Sequence, residues 1–337
     1  MGLAAPLRIL VVNAGSTSLK LHVVEGDESR AVDSLDQDVG AVAHRVVHGG
    51  PRFRAPALID DEVHEAIRAL EPLAPLHNEP ALRAIDGARA ALPSVPHVAV
   101  FDTEFHATIP ESAATYAIPR SWREWGVRRY GFHGLSVQWS VEQVAARRIV
   151  VCHLGGGCSV TGVLDARSVD TTMGFSPLEG VPMTTRSGSI DPGALLYVLR
   201  ERGLDVATLD HALNFESGLA ALGGAEGMAE LEALGTEEAE LAIDVFAYRV
   251  AAAVAAMSVA CGGLDALVFT AGIGENSARV RKDVCARLGF LGVEVDADRN
   301  ASASPDCEIS AGRVRVHVIH AREELVAARA ARAALGR

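Results

Sequence analysis

The sequence is poor in cysteine, and its cysteines follow none of the spacings that form disulfide frameworks or zinc sites. Five occur in 337 residues, an odd number without a C-x-x-C pair. They are Cys152, Cys158, Cys261, Cys285 and Cys307. Because small secreted domains and structural zinc sites depend on grouped cysteines, neither is indicated. We expect reduced thiols and a cytoplasmic location.

Positive charge is also scarce. The chain has 31 lysines and arginines against 43 aspartates and glutamates, a formal net charge of −12. A broadly acidic surface repels nucleic-acid phosphates and anionic lipid headgroups, so we expect no nucleic-acid partner and no membrane partner. A small-molecule substrate fits better.

A long uninterrupted apolar run is missing as well. The most apolar segment, residues 243–263, contains Asp244 and Arg249 and ends in Gly-Gly, so it predicts a core helix rather than a membrane span. The first residues, MGLAAPLRILVV, have neither the basic region nor the long apolar core of an export signal. We expect no export.

What is present is the composition of a globular protein, 49% hydrophobic and 22% charged, in a chain long enough for two domains. Apolar runs and turn signals predict several strands first and then alternating helices and strands. The same order restarts at Arg148. The sequence therefore predicts an α/β protein made of two similar β-first halves with a cleft between them.

Three tips rich in glycine and small polar residues follow apolar strands: NAGSTS, HLGGGCS and TAGIGENS. Glycine lets backbone amides approach a ligand closely, although a single such tip is more often an ordinary turn. The first tip is followed by Lys20, which suits a phosphate, but a Walker sequence is absent. Three tips together favour a bound nucleotide.

Ten short strings, in order over almost the whole chain, resemble the acetate kinase family: VNAGSTSLK, HRVVHGG, PLHN, FDTEFH, RRYGFHG, CHLGGGCS, DTTMGFSPLEG, TRSGSIDP, FTAGIGENS and REELVAAR. The resemblance implies a two-domain actin-like fold of the ribonuclease H type, as in sugar kinases and Hsp70. It implies domains at 1–147 and 148–321, with a C-terminal helix at 322–337 packing on the first. It also implies a homodimer and reversible phosphoryl transfer from ATP to acetate or another short carboxylate, with Mg²⁺ or Mn²⁺.

Arg45 and Arg186 are the leading candidates for stabilising the transferred phosphoryl group, because planar guanidinium groups can bridge its oxygens. An arginine among apolar strand residues, as in HRVV, needs a partner, so Arg45 binds a ligand or lies in a buried salt bridge. The resemblance favours the ligand. Two other arginines, Arg128 and Arg129, are predicted to be structural.

The resemblance adds His133 to the catalytic residues. Asp102 ends a strand and is predicted to position metal or water, since a carboxylate acceptor is already ionised near pH 7 and needs no base. Asn13 and Glu323 match metal-associated residues of the family, and Glu324 is an adjacent rival for Glu323.

The other assignments follow from the resemblance alone. The acyl pocket, beside Arg45, is expected to contain Val47, Leu76, Phe132 and Pro177. The nucleotide and phosphate contacts are expected to be Ser16, Ser18, Lys20, His77, His153, Gly155, Gly156, Gly157, Gly272, Ile273, Gly274, Glu275 and Asn276.

The chain departs from the family pattern at two places. Gly156 stands where the family has an asparagine, and Gly227, Met228 and Ala229 replace an Asp-Phe-Arg sequence. Gly272 is retained, which favours ATP over pyrophosphate. The main expectation is an acetate kinase. The alternatives are a kinase that uses propionate or pyrophosphate, and a catalytically weak nucleotide-binding sensor.

Overall fold

The computed structural model describes residues 7–15, 19–73 and 75–337, with the backbone alone for Pro72, Pro75, Leu76 and His77. Two predicted phosphate contacts, Ser16 and Ser18, lie outside the described residues. The chain forms two compact units. The first comprises the residues up to Ala107 together with Tyr130–Trp139 and Arg322–Arg337, and the second comprises Thr108–Arg129 and Ser140–Ala321.

The first unit contains a mixed six-stranded sheet. Its strands are β1 (Ile9–Ala14), β2 (Leu19–Glu25), β3 (Glu28–Val32), β4 (Ala41–Val46), β5 (Ala57–Leu58) and β6 (His97–Phe101). The spatial order is β3-β2-β1-β4-β6-β5. β1, β2 and β3 pair antiparallel, whereas β4 lies parallel to both β1 and β6. The central parallel strands are nearly continuous apolar runs because both of their faces are buried.

The second unit repeats this arrangement. Its strands are β7 (Arg148–Leu154), β8 (Cys158–Leu164), β9 (Arg167–Thr171), β10 (Ala266–Thr270), β11 (Cys307–Glu308) and β12 (Arg315–Val318). The order β11-β12-β10-β7-β8-β9 again joins an antiparallel trio to two further parallel strands and a short antiparallel edge strand. The predicted duplicated α/β fold is confirmed.

Helices connect the strands in both units. They are α1 (Asp61–Arg68), α2 (Pro75–Ala91), α3 (Glu111–Ala114), α4 (Arg120–Glu124), α5 (Gly134–Glu142), α6 (Pro192–Glu201), α7 (Val206–Phe215), α8 (Gly218–Gly223), α9 (Met228–Leu234), α10 (Glu237–Ala260), α11 (Ala271–Asn276), α12 (Ala278–Ala286), α13 (Ala297–Ala301) and α14 (Glu323–Ala334). Short 3₁₀ turns lie at Glu71–Leu73, Phe105–Thr108 and Gly289–Leu291.

The long apolar helix α10 is the one helix of the described residues with the length and hydropathy of a membrane span. Thr236 caps its N-terminus, because the Thr236 side-chain oxygen accepts a hydrogen bond from the Ala239 N–H. Ile243, Phe246 and Val250 on one of its faces are fully buried, and the helix packs on β7 and β8. The prediction of a core helix in this part of the sequence is confirmed.

The C-terminal helix α14 belongs to the first unit and packs on β1 and β4. Arg332 fastens it, because its guanidinium donates to the carbonyls of Leu7, Val24 and Gly26 at 2.9, 3.0 and 3.1 Å. Three backbone acceptors therefore depend on one side chain.

Residues 108–129 group with the second unit, although the sequence assigned them to the first domain. The physical reason is that these residues bind side chains and backbone of the second unit. Thr108 donates to the Ser168 carbonyl at 2.9 Å, and Arg129 forms an ion pair with Glu179. The domain limits at 147/148 and 321/322 stay a prediction.

We predict that Arg332→Met lowers the free energy of unfolding by about 1.5–3 kcal/mol, since carbonyls bonded to a charged donor lose their partner. Urea denaturation of the full chain measures this change. Arg68→Met is the matched control, because Arg68 is half-exposed and pairs with Glu65 at 3.2 Å. Equal stability of the two variants would contradict the role of Arg332.

Candidate active site

Polar side chains meet at one edge of the first sheet, where its central parallel strands end. Asn13 in β1 lies opposite Arg45 in β4, and Arg45 lies opposite Val100 in β6. Asp102 follows β6 directly, and its N–H donates to the Val46 carbonyl at 3.1 Å. Because parallel strands present their carboxyl ends at the same edge, the three polar residues become neighbours.

The strongest contact at this edge is a two-pronged ion pair. Arg45 donates from Nε to Asp102 Oδ1 at 2.9 Å and from Nη2 to Oδ2 at 2.5 Å. The side chain of Asp102 is 1% exposed and that of Arg45 is 15% exposed. Burial lowers the pKa of Arg45, but the carboxylates of Asp102 and Glu323 outweigh it, so the net shift is upward. The guanidinium is therefore held charged at a nearly dry edge.

Asn13 and Glu323 complete this group. Arg45 Nη1 donates to Asn13 Oδ1 at 3.0 Å, and Arg45 Nε lies 3.7 Å from Glu323 Oε2. Asn13 Nδ2 donates to the same glutamate oxygen at 3.5 Å. Glu323, the first residue of α14, thus contacts the group that Asn13 and Arg45 form.

The oxygen atoms of Asp102, Glu323 and Asn13 fit a magnesium ion that keeps most of its waters. Mg²⁺ prefers one or two carboxylates together with water and substrate phosphates to a cage of protein ligands. Within the described residues there is no cluster of three histidine, cysteine, aspartate or glutamate side chains able to grip a metal directly. The oxygen atoms of Asp102, Glu323 and Asn13 are therefore suited to bind the water molecules around the ion.

His133 is placed beside Asp102 by the glycine that follows it. The N–H of Gly134 donates to the Asp102 carbonyl at 3.0 Å, and a Cβ at Gly134 would lie 2.2 Å from that oxygen. His133 itself has φ of 60°, a left-handed conformation rare outside glycine, and its carbonyl accepts from Val137 in the first turn of α5. Close backbone contact thus fixes this histidine.

Two residues expected in the acyl pocket, Val47 and Phe132, are buried in the first unit. His106 supports Phe132, because its Nε2 and the Phe132 carbonyl oxygen are 2.8 Å apart. Burial lowers the pKa of His106 to about 4, so this imidazole is neutral near pH 7. Leu76 and His77 lie in the first turn of α2, where the backbone alone is described.

The hairpin from β1 to β2 carries the first phosphate tip. Lys20 lies opposite Asn13 in the antiparallel register, and its side chain is exposed. Lys20 is therefore placed at the strand end that also carries Asn13.

The second and third tips are neighbours in the second unit. His153 near the end of β7 lies opposite Thr270, the last residue of β10, so both tips leave the same edge of the sheet. A Cβ at Gly155 would lie 3.5 Å from Ala271 Cβ and 3.9 Å from Gly272 N. Gly156 and Gly272 each face open space, with nothing within 4 Å of a Cβ. The two tips offer adjoining backbone surfaces to a ligand.

The TAGIGENS tip forms a short helix, α11, and Ser277 then caps the next helix, α12, because its side chain accepts the Val280 N–H. The side chain of Glu275, a predicted nucleotide contact, bonds to backbone groups: its Oε1 accepts the N–H of Ala271 and of Ala321, both at 2.9 Å. Its Oε2 lies 2.6 Å from His320 Nδ1. The carboxylate holds Ala271 in a left-handed conformation, φ 65°.

A buried arginine that sequence reasoning missed supports the same tip. Arg281 in α12 donates to the carbonyls of Gly274 at 3.0 Å, Glu275 at 2.8 Å and Asn300 at 2.9 Å. Burial lowers its pKa. The sequence does contain an indication of this role, because Arg281 lies within the apolar stripe formed by Val280 and Val284.

Arg186 binds the Pro177 carbonyl and lies two residues after Thr184, which contacts the second tip. Its Nη1 donates to the Pro177 carbonyl at 3.3 Å, and the neighbouring Thr184 N–H donates to the Gly156 carbonyl at 3.4 Å. Burial lowers the pKa of Arg186, and Cys158 partly opposes this shift. The structure thus brings Arg186, Pro177 and the HLGGGCS tip together within one unit.

The segment that replaces the Asp-Phe-Arg sequence begins a helix. Gly227 caps α9, and the Met228 side chain is buried in the core.

The second unit contains a cavity of about 600 Å³. It is bordered by α10 and by residues 170–172 and 179–182. None of the predicted site residues that the structure describes lines it.

The duplicated sheets, the charged arginine at a strand edge and the paired glycine tips define a phosphotransferase of the actin-like fold. The Acetokinase family model matches residues 28–329, and the chain belongs to this family. It is 50% identical to the acetate kinase of Deinococcus deserti over 97% of this chain and 88% of that protein. Among solved structures, a propionate kinase from Francisella tularensis is 34% identical with a TM-score of 0.89, covering 96% of this chain and 98% of that one. The Porphyromonas gingivalis acetate kinase is 31% identical with a TM-score of 0.88, covering 98% and 100%.

We predict that Gly134→Ala lowers kcat at least tenfold, because the new methyl group must displace the Asp102 carbonyl or His133. Steady-state kinetics of acyl phosphate formation and thermal denaturation measure the effect. Gly87→Ala in α2 is the matched control: nothing lies within 4 Å of its Cβ, so activity is unchanged and stability rises by up to about 1 kcal/mol. Full activity of Gly134→Ala would show that this contact is unimportant.

Proposed function

We propose that this protein transfers the γ-phosphoryl group of ATP reversibly to acetate, giving acetyl phosphate and ADP. The observation that carries this proposal is the two-pronged Arg45–Asp102 pair at the end of the parallel strands. It keeps a guanidinium charged and oriented where Asn13 and Glu323 also lie. Such a group suits the negative charge that spreads over phosphoryl oxygens during transfer.

The acceptor needs no catalytic base. A carboxylate is ionised at neutral pH and attacks phosphorus in line, so the enzyme contributes position and electrostatic stabilisation. Arg45, Arg186 and His133 are the proposed donors to the phosphoryl oxygens. Asp102 acts by fixing Arg45, because both of its oxygens accept from that side chain.

ATP is the proposed donor, because the second and third tips adjoin and Gly156 and Gly272 leave open space in which a nucleotide can approach the backbone. Ser16, Ser18, Lys20, His77 and His153 are the proposed further phosphate contacts. Ile273 and Asn276 belong to the same nucleoside-binding tip, whereas Glu275 shapes it from within.

Mg²⁺, or Mn²⁺ in its place, is proposed to be held through water by Asn13 and Glu323. When bound, the ion would neutralise charge on the phosphates. The side-chain oxygens of Asn13, Glu323 and Asp102 lie around the Arg45 guanidinium. The same carboxylates would therefore stabilise both the bound ion and Arg45.

Acetate is proposed as the acceptor in a pocket of Val47, Leu76, Phe132 and Pro177. Propionate is the second candidate, because a solved relative bears the name propionate kinase. One methylene changes binding in such a pocket by about 1–3 kcal/mol, so the choice is a matter of degree. We further propose that the enzyme is a cytoplasmic homodimer.

The deciding experiment combines ATP, GTP or pyrophosphate with acetate, propionate or butyrate and traps acyl phosphate as the hydroxamate. We expect the highest rate with ATP and acetate. Arg45→Lys should lower that rate by about 100-fold, since a lysine ammonium group cannot form the two-pronged contact that Arg45 makes with Asp102. Arg52→Lys, at a half-exposed pair with Glu62, is the matched control. ATP binding without any acyl phosphate would instead establish the sensor alternative.

We also predict that Gly156→Asn lowers the KM for ATP about tenfold. Open space surrounds this position, and a hydrogen bond to a charged phosphate is worth about 1.5–3 kcal/mol. Gly235→Asn, at an equally open helix end, should leave the KM unchanged. An unaltered KM in Gly156→Asn would show that phosphate does not reach this tip.

A further inference from the structure

The segment 171–181 connects β9 to the loop that carries Arg186. It contains Pro177, whose carbonyl accepts a hydrogen bond from Arg186 Nη1. Near the end of the segment, Gly180 is joined to Ser189 by two hydrogen bonds, of 3.1 and 2.8 Å. The position of this segment therefore determines where the Pro177 carbonyl meets Arg186.

Arg129, outside the segment, holds its beginning and its end at once. Its Nη1 donates to the carbonyls of Thr171 and Thr172 at 2.9 and 3.0 Å, and its Nη2 donates to Glu179 Oε1 at 2.9 Å. Nε lies 3.7 Å from Asp170 Oδ1. With 15% of its side chain exposed, Arg129 is mostly buried. The sequence predicted a structural role for Arg129, and these contacts show that the role is to hold the segment 171–181.

Tyr116 holds the middle of the segment. Its hydroxyl donates to Glu179 Oε2 and accepts the Phe175 N–H at 3.0 Å. Its ring lies under the Arg129 guanidinium, 5.6 Å from centroid to carbon. Burial and the bond to Glu179 raise the pKa of Tyr116, so the hydroxyl remains a donor. The Glu179 carboxylate is consequently bound by both Arg129 and Tyr116.

Two glycines make this contact possible. A Cβ at Gly174 would lie 1.6 Å from Glu179 Oε2 and 1.9 Å from the Tyr116 oxygen. Gly180 has φ of 118°, which side chains rarely tolerate. The backbone of the segment is therefore shaped to fit the Tyr116–Glu179 bond.

A cavity borders the end of the segment. Glu179, Gly180, Val181 and Pro182 line the cavity of about 600 Å³ described above. Where open volume replaces packed atoms, dispersion contacts are lost and hydrogen bonds carry more of the positional constraint.

We propose that Arg129, Tyr116 and Glu179 form a positioning network that fixes Pro177 and, through its carbonyl, orients Arg186 for phosphoryl transfer. This inference rests on the proposed function of Arg186 and Pro177. The three residues do not touch the reacting atoms. They act through the segment 171–181.

The kinetic test is Tyr116→Phe, which removes one hydroxyl and leaves the ring in place. We expect kcat/KM for the carboxylate to fall about tenfold while the KM for ATP stays within twofold. Tyr197→Phe is the matched control, since Tyr197 is half-exposed and its hydroxyl accepts from Arg202 at 2.9 Å. An unchanged kcat/KM in Tyr116→Phe overturns the proposal.

A double-mutant cycle identifies the route of the effect. In an Arg186→Ala background, Tyr116→Phe should have almost no further effect, because the oriented group is already gone. A fall by the same factor in both backgrounds would mean that Tyr116 acts independently of Arg186, and would overturn the proposal.

Hydrogen exchange tests the network without relying on activity. In Tyr116→Phe, exchange in 172–181 should rise at least about tenfold, while β7 and β10 stay protected. Glu179→Gln, which keeps the side-chain shape, should cause a smaller rise. Unchanged exchange in 172–181 overturns the network.

Absence of acyl phosphate from the wild type would refute the proposed function and the role of Arg186, whereas exchange would still report whether Tyr116 holds the segment.

Discussion

The bidentate ion pair between Arg45 and Asp102 is the contact on which the first unit's site depends. Removing a charged guanidinium from water is unfavourable unless another charge and good hydrogen-bond geometry compensate. Asp102, almost fully buried, provides both through Nε and Nη2, while Nη1 donates to Asn13 and Glu323 lies 3.7 Å from Nε. The parallel pairing of β1, β4 and β6 makes this possible, because it brings three strand ends to one edge.

In the second unit, Glu275, Arg281 and Arg129 use their charged side chains to hold the backbone of tips and loops in place. Glu275 ties down the N–H groups of Ala271 and Ala321, and Arg281 binds the carbonyls of Gly274 and Glu275. Arg129 does the same for the segment that carries Pro177. Glycine-rich tips have little side-chain packing of their own, so buried polar groups from neighbouring elements give them a defined form. Such tips can then offer backbone amides to phosphates without rearranging.

The departures from the family pattern concentrate at the nucleotide end. Gly156 leaves open space where the family pattern has an asparagine, and Gly227 and Met228 form a helix start and a core contact. The groups around Arg45 are intact. An acyl kinase with fewer side-chain contacts to its donor accounts for both facts, because catalysis depends on the phosphoryl group and nucleotide affinity depends on the tips.

The sequence alone determined the duplicated α/β halves and the family, because strand periodicity and strings such as HRVVHGG and TAGIGENS are local properties of the chain. It also indicated that Arg45 needed a partner. Tertiary structure decided what that partner is, which way Glu275 turns, and that Arg129 clamps a segment more than forty positions away. Those outcomes depend on strand register and on contacts between distant elements, and neighbouring letters in a sequence do not encode them.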